Sequence, residues 1–170
     1  MLHDSVSGLI NTQGNKEFYS AYLYLSFANF FVEKGLNGFA HWYQVQAQEE
    51  RDHAMLMVQY LHDNGAAVSY EAIAKPDDTW PDGLAVLRAG LAHEQYVTEL
   101  IHTIYGAASD VRDYRTLQFL DWFVKEQGEE ERNAGDLIKK MELFGQDAKG
   151  LYLLDQELAA RVYAPPSLVL

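Results

Sequence analysis

Apolar residues recur at three- and four-residue spacing through four long stretches of this chain, and Gly, Pro and Asn signals separate the stretches. The first runs over about 4–34 and stops at Gly35. The second starts near Asn37, a suitable helix cap, and ends at Asn64 and Gly65. The third begins after Pro81 and reaches about 109, and the fourth covers about 113–144 and stops before Gly145. A shorter fifth stretch, GLYLLDQELAARVY, is amphipathic through Leu151, Leu154 and Leu158 and predicts a helix over about 148–162, ahead of Pro165. No strand-like alternation, internal repeat or low-complexity segment competes with this pattern. It predicts an all-α fold, a bundle over about 4–144 plus a short fifth helix, in one domain spanning 1–170.

The connections set the topology. Helices one and two, and helices three and four, are joined by a few residues each, so each pair is antiparallel. Between helices two and three lies GAAVSYEAIAKPDDTW, 16 residues and too long for an ordinary bundle turn. Extended at ~3.3 Å per residue it reaches roughly 50 Å, while a helix of ~28 residues is about 42 Å long. The segment can therefore travel the length of the bundle. That makes helices two and three parallel, a four-helix bundle with one long crossover.

At ~100° per residue, each helix presents one apolar stripe to the core. Helix one offers Ile10, Glu17, Ala21, Tyr24, Ala28 and Phe31, and helix two Phe39, Tyr43, Glu50, His53, Met57 and Leu61. Helix three offers Leu87, Leu91, Glu94, Val97, Ile101 and Tyr105, and helix four Leu120, Phe123, Gln127, Glu130, Ala134 and Ile138. Each stripe is interrupted by polar residues near its middle. One such residue on one helix reads as a satisfied core group, but four interruptions at comparable depth bring Glu17, Glu50, Glu94 and Glu130 together. Without a cation, each close carboxylate pair costs about 4 kcal/mol at an effective dielectric of ~20, before desolvation.

Composition narrows the ways of relieving that repulsion. The chain is 48% hydrophobic and 13% aromatic, enough for a sizeable core. Its 13 Lys plus Arg against 25 Asp plus Glu leave a formal charge of −12, which disfavours nucleic acid or an anionic membrane as partner and favours cations. The absence of cysteine excludes disulfides, thiolate metal sites and cysteine nucleophiles. The start of the chain lacks a basic segment followed by an apolar run, and no window approaches ~18 uninterrupted apolar residues, so a soluble, cytoplasmic protein is expected.

A divalent metal answers the charge problem better than protons alone. Glu50 and His53 stand at i and i+3 on one face, as do Gln127 and Glu130. A glutamate from each of two helices with polar i, i+3 pairs from the other two is the carboxylate di-metal arrangement of helix bundles. Oxygen donors with one imidazole suit iron or manganese better than a structural zinc site, and iron is the expected metal, with zinc as a competitor. Glu49, Glu126 and Glu129 sit about 60–160° off the stripes. They read either as a solvated acidic face or as a wetter second cluster that flanks the first and shares Glu130. The remaining histidines, His3, His41, His62, His93 and His102, read as surface or packing groups, Trp122 has no assigned role, and the tail YAPPSLVL is a candidate for docking on a neighbouring subunit.

With these residues in view, the chain resembles the bacterial non-haem ferritins along nearly its whole length. Glu17, EERDH with Glu50 and His53, HEQ with Glu94, and EQGEEE with Gln127 and Glu130 look like that family's ferroxidase centre. Glu49, Glu126, Glu129 and Glu130 look like its third iron site, and the fifth helix with LDQEL adds to the match. The resemblance implies a cage of twenty-four subunits in which Fe(II) is oxidised by dioxygen or hydrogen peroxide and stored as a ferric oxide mineral. It implies Glu50 as the bridge between two ferrous ions, with Glu17 and His53 on one and Glu94 and Glu130 on the other. Gln127 would bind an oxygen species or a bridging water, and Tyr24 would hydrogen-bond a ligand, donate an electron or simply pack. Bacterioferritins carry a second Glu-x-x-His on helix four and a Met where this chain has Arg51, so no haem is expected. Rubrerythrins need cysteine pairs, and the starvation-induced mini-ferritins lack the fifth helix. A di-metal oxidase that keeps its metals, and a metal-free structural bundle, remain the competing readings.

Overall fold

The computed structural model describes residues 2–170. Those residues form α1 (Asp4–Glu33), α2 (Asn37–Asp63), α3 (Gly83–Asp110), α4 (Tyr114–Phe144) and α5 (Ala148–Ala159), with no strand among them. The periodicity therefore located every helix, and no helix among the described residues is long and apolar enough to cross a membrane. The expected fifth helix is shorter than its sequence pattern. It stops at Ala159, and the chain then turns back onto α2 ahead of Pro165 and Pro166, which cannot continue a helix.

Helix starts follow local chemistry at four places, of which α1 has the longest bond, His3 Nδ1 accepting from the Ser5 backbone N–H at 3.4 Å. Asp82 accepts a hydrogen bond from the Ala85 backbone N–H at 2.8 Å, Asp113 from Thr116 at 3.1 Å, and Asp147 from Gly150 at 2.9 Å. α2 departs from this rule. Asn37, expected as its cap, is its first helical residue, and Leu36 before it supplies no side-chain bond. The cap comes from α5 instead: Asp155 Oδ1 accepts from the backbone N–H of Gly38 at 2.8 Å and of Phe39 at 3.0 Å. An anion at a helix N-terminus satisfies orphan donors and complements the helix dipole. Glycine is required at position 38, because a Cβ there would lie 1.7 Å from the Asp155 carbonyl oxygen. α5 is thereby pinned across the start of α2.

The crossover, residues 65–80, has no regular structure and runs along α1. Asn11 and Asn15 clasp its backbone, with Asn11 Nδ2 donating to Ser69 O at 3.1 Å and Asn15 Oδ1 accepting from Glu71 N at 2.9 Å. Further on, Ser26 Oγ donates to Asp77 O at 2.8 Å. Residues 69–77 thus track α1 from position 11 to position 26, roughly 22 Å of helix at ~1.5 Å per residue, which only a nearly extended segment covers. α2 and α3 are consequently parallel, as the crossover length requires.

The core has two apolar clusters separated along the bundle. One gathers Phe27, Phe31, Phe39, Tyr43, Leu87 and Leu137 with Leu154 and Leu158 of α5. The other gathers Val6, Ile10, Met57, Leu61, Ile101, Leu120 and Phe123. Gln13, Glu17, Gln46, Glu50, His53, Glu94, Gln127 and Glu130 are all buried, and all belong to neither cluster. Apart from Gln46, which lies between Tyr43 and Ala47 of the first cluster, they occupy the stretch of each helix between the positions that build the two ends.

Candidate metal centre

Glu17 comes from α1, Glu50 and His53 from α2, Glu94 from α3, and Gln127 and Glu130 from α4. Their side chains are only 1% to 5% exposed. Helical spacing puts Glu50 and His53 one turn apart on one face, and His53 Nδ1 lies 3.3 Å from Glu50 Oε2. Ligand atoms of Glu17, Glu50 and His53 all lie within 4.8 Å of one another, close enough to share one metal ion. Glu94 is held from two sides. The Tyr24 hydroxyl donates to its Oε1, and Gln127 Nε2 lies 3.2 Å from its Oε2. Glu130 Oε2 accepts from Gln46 Nε2 at 2.7 Å, and the same amide reaches Glu50 Oε1 at 3.2 Å.

Two glutamines of this network escaped the sequence reading. Gln13 donates to Glu17 Oε1 at 2.7 Å, as Gln46 does to Glu50. The signal was present, because each stands four residues before its glutamate, in QGNKE and QAQEE, and so on the same helix face. Even with them, Glu17 Oε2 is buried with no hydrogen-bond partner. A buried carboxylate oxygen left unpaired is costly, and it faces a site already crowded with carboxylates.

The electrostatics have one dominant cause. Burial pushes the Glu17 carboxyl up to about 8, with Glu50 adding to it; burial and then Glu50 push Glu94 up to about 8; burial and then Glu94 do the same for Glu130. Burial, followed by Glu130, holds Glu50 well above the usual carboxylate range. Protons therefore neutralise the cluster near neutral pH when no cation does. A divalent ion replacing them would meet oxygen donors and one imidazole, and would satisfy the orphaned Glu17 oxygen. The donor set fits such an ion chemically.

The flanking acids divide. Burial raises both Glu49 and Glu126; at Glu49 the Arg161 and His53 charges oppose the rise, and at Glu126 the His53 charge opposes it. Glu49 forms an ion pair with Arg161, a residue the sequence reading left without a role. Glu129 is half-exposed and faces Lys125 at 3.9 Å. Trp122, also without a role, packs its ring edge-on to His53 at 5.4 Å between centroids and donates its N–H to Ser167 Oγ at 3.0 Å. The tail lies along its own bundle, where Leu168 packs against the second apolar cluster. His93 is a packing group: it meets Ser20 Oγ at 2.8 Å, and burial pushes its ring down to about 4, so it is neutral.

Comparison with known proteins agrees with this architecture. A family profile described as a ferritin-like domain matches residues 8–144. The chain is 36% identical over 156 residues to the bacterial non-heme ferritin of Campylobacter jejuni, covering 92% of this chain and 93% of that one. It is 37% identical over 163 residues to the bacterial non-heme ferritin of Staphylococcus saprophyticus, covering 96% and 98%. Among solved structures, an open-pore ferritin from the archaeon Archaeoglobus fulgidus superposes with a TM-score of 0.93 at 40% identity, over 95% of this chain and 100% of that one. A closed form of the Archaeoglobus fulgidus ferritin, engineered by mutagenesis, gives 0.94 at 40% identity over 96% and 100%. With four helices, one long crossover and a buried carboxylate layer at mid-bundle, the chain belongs to the ferritin-like domain family, and its curated relatives are bacterial non-heme ferritins.

Proposed function

We propose that this chain, acting as one ferritin-like unit, is an iron-storage ferroxidase. Two Fe(II) ions would bind as substrate at an intrasubunit centre, be oxidised by dioxygen or hydrogen peroxide, and move into the cavity of a cytoplasmic cage of twenty-four copies to form ferric oxide mineral. The observation that carries the reading is the mid-bundle layer itself. Four buried glutamates and a histidine converge there, one glutamate oxygen has no partner, and the layer lies in a chain 36–37% identical to bacterial non-heme ferritins.

Each residue then has a defined task. Glu50 bridges, Glu17 and His53 hold one ion, and Glu94 and Glu130 hold the other. Each ferrous ion gives up one electron, so a pair supplies the two that reduce dioxygen to peroxide or peroxide to water. The carboxylates must lose their protons to bind, so loading releases protons. Burial keeps bulk water from competing for the ions. Gln127, an uncharged amide bonded to Glu94, orients that ligand and offers its carbonyl oxygen to a bridging water. Tyr24 donates to Glu94 and steadies it. Glu49, Glu126, Glu129 and Glu130 form a more exposed acidic path by which oxidised iron leaves the centre.

Fe(II) added aerobically to metal-free protein tests this, with particle size and iron per subunit measured together. A large hollow particle loading far more than two ferric ions per subunit is expected. A small species that stops at two would make the chain a di-metal oxidase with a separate substrate.

A further inference from the structure

Arg161 has no part in the chemistry described so far, yet its placement is specific. Asp155 fixes α5 across the N-terminus of α2, and the chain leaves α5 two residues before Arg161. The Arg161 backbone is tied down in turn, its carbonyl oxygen 2.8 Å from His41 Nε2. The guanidinium lies over the Trp42 ring, 4.4 Å from its centroid. Nη1 donates to Trp42 O at 3.2 Å and to Gln46 Oε1 at 2.8 Å, while Nη2 pairs with Glu49 Oε2. The side chains of Arg161 and Glu49 are 19% and 15% exposed, so solvent screens this pair only partly.

Two consequences follow from the chemistry of a guanidinium, which donates and never accepts. The Gln46 amide must turn its carbonyl oxygen to Arg161, which leaves its NH2 aimed at Glu130 Oε2 and Glu50 Oε1. Glu49, adjacent to Glu50 in sequence, already has a cation on its carboxylate. We propose that Arg161 is a positioning residue of the metal centre: a tethered cation that occupies Glu49 in place of a metal ion and turns the Gln46 amide toward Glu50 and Glu130. This rests on the reading of the buried layer as a metal site. Metal binding at Glu49 is then weakened while the pair holds, and the Glu49 carboxylate joins the exit path as a ligand only when the Arg161 pair opens. The tail beyond Arg161 reinforces the placement, because the Tyr163 hydroxyl donates to Asp52 Oδ2 at 2.5 Å, on the same helix as Glu49.

The test uses cobalt(II), which does not turn over under anaerobic conditions and reports its ligands through visible absorption. Metal-free wild type, Arg161→Gln, Arg161→Lys, Glu49→Gln and the double variant Arg161→Gln/Glu49→Gln would be titrated by calorimetry and absorbance. Arg161→Gln is expected to bind cobalt at a further position roughly tenfold more tightly than wild type, the factor that one charge-assisted hydrogen bond is worth. That gain should vanish in the double variant. Arg161→Lys keeps the charge on Glu49 but cannot also grip Gln46, so it should suppress the further position while altering the spectrum of the buried cobalt. Because Arg161→Lys and Glu49→Gln preserve size and polarity, the comparison survives any misfolding of Arg161→Gln. An Arg161→Gln titration that matches wild type, or a gain that persists in the double variant, overturns the role of Arg161 alone. A wild type that takes up no cobalt at the buried cluster overturns the metal reading itself, and the role of Arg161 with it.

Discussion

Loading the buried layer with a redox-silent divalent ion should expel protons, in a number that depends on pH in a way the structure specifies. Glu17, Glu94 and Glu130 are pushed up to about 8, first by burial, and Glu50 lies well above its ordinary value. A carboxyl of pKa 8 is about nine-tenths protonated at pH 7 and about one-tenth at pH 9, since each pH unit is a factor of ten. Binding zinc(II) to the metal-free protein should therefore release about three protons per subunit at pH 7 from these three groups, plus a contribution from Glu50. The three-carboxyl share should fall below one by pH 9. The same shifts fix the sign for folding. In the metal-free protein the folded state holds protons that the unfolded state has lost at any pH between about 4.5 and about 8. Stability is then fully present below about 4.5 and is lost as pH rises through about 8, at ~1.4 kcal/mol per pH unit for each excess proton. Calorimetry in buffers of different ionisation enthalpy counts the protons, and denaturant unfolding of metal-free protein reads the slope. Release of fewer than one proton per subunit at pH 7, with a flat stability profile from pH 5 to 8, would refute the reasoning. It would mean that the carboxylates are already ionised and solvated.

Glu50→Gln keeps the shape of the residue that crowds both Glu17 and Glu94 while removing its charge. Metal-free stability should be unchanged or raised by up to a few kcal/mol in denaturant unfolding, while initial iron oxidation should fall by at least the roughly 10- to 100-fold typical of lost metal-supporting groups. Asp155→Ala removes the acceptor for the Gly38 and Phe39 N–H groups, and about 2 kcal/mol of stability should go with it. Gly38→Ala should be at least as damaging, since its Cβ would meet the Asp155 backbone at 1.7 Å and force α5 off α2. Thermal unfolding and the protease sensitivity of residues 148–170 check both variants. Wild-type behaviour of Gly38→Ala would show that α5 is not pinned as described.

The helices and their topology were legible because a local rule governs them. Apolar spacing decides which face of α1 to α4 turns inward, and the reach of residues 65–80 decides that α2 and α3 run parallel. The same rule exposed the ligand candidates, since a glutamate on an apolar stripe is visible without knowing its neighbours. Glu17, Glu50, His53, Glu94, Gln127 and Glu130 were found in this way, and all six are buried. Gln13 and Gln46 obeyed the rule too, but a neutral amide carries no charge anomaly to draw the eye.

Contacts made by side chains off the apolar stripes obey no periodicity, and there the sequence is silent. Asp155 reads as one more polar residue in a short amphipathic helix; only the docking of α5 makes it the cap of α2, 117 positions earlier. Arg161 carries no signal in the sequence, and Glu49 reads as part of either a solvated acidic face or a second cluster beside the first, with no cationic partner in view. Their pairing across 112 positions exists because Asp155 and Gly38 set where α5 ends. The amino-acid order by itself determined which residues face the core, since that depends on neighbours within two helical turns. Tertiary structure alone decided which partners the groups off those stripes meet, because electrostatic energy depends on distance in space, and folding is what brings Arg161 to Glu49 and Asp155 to the start of α2.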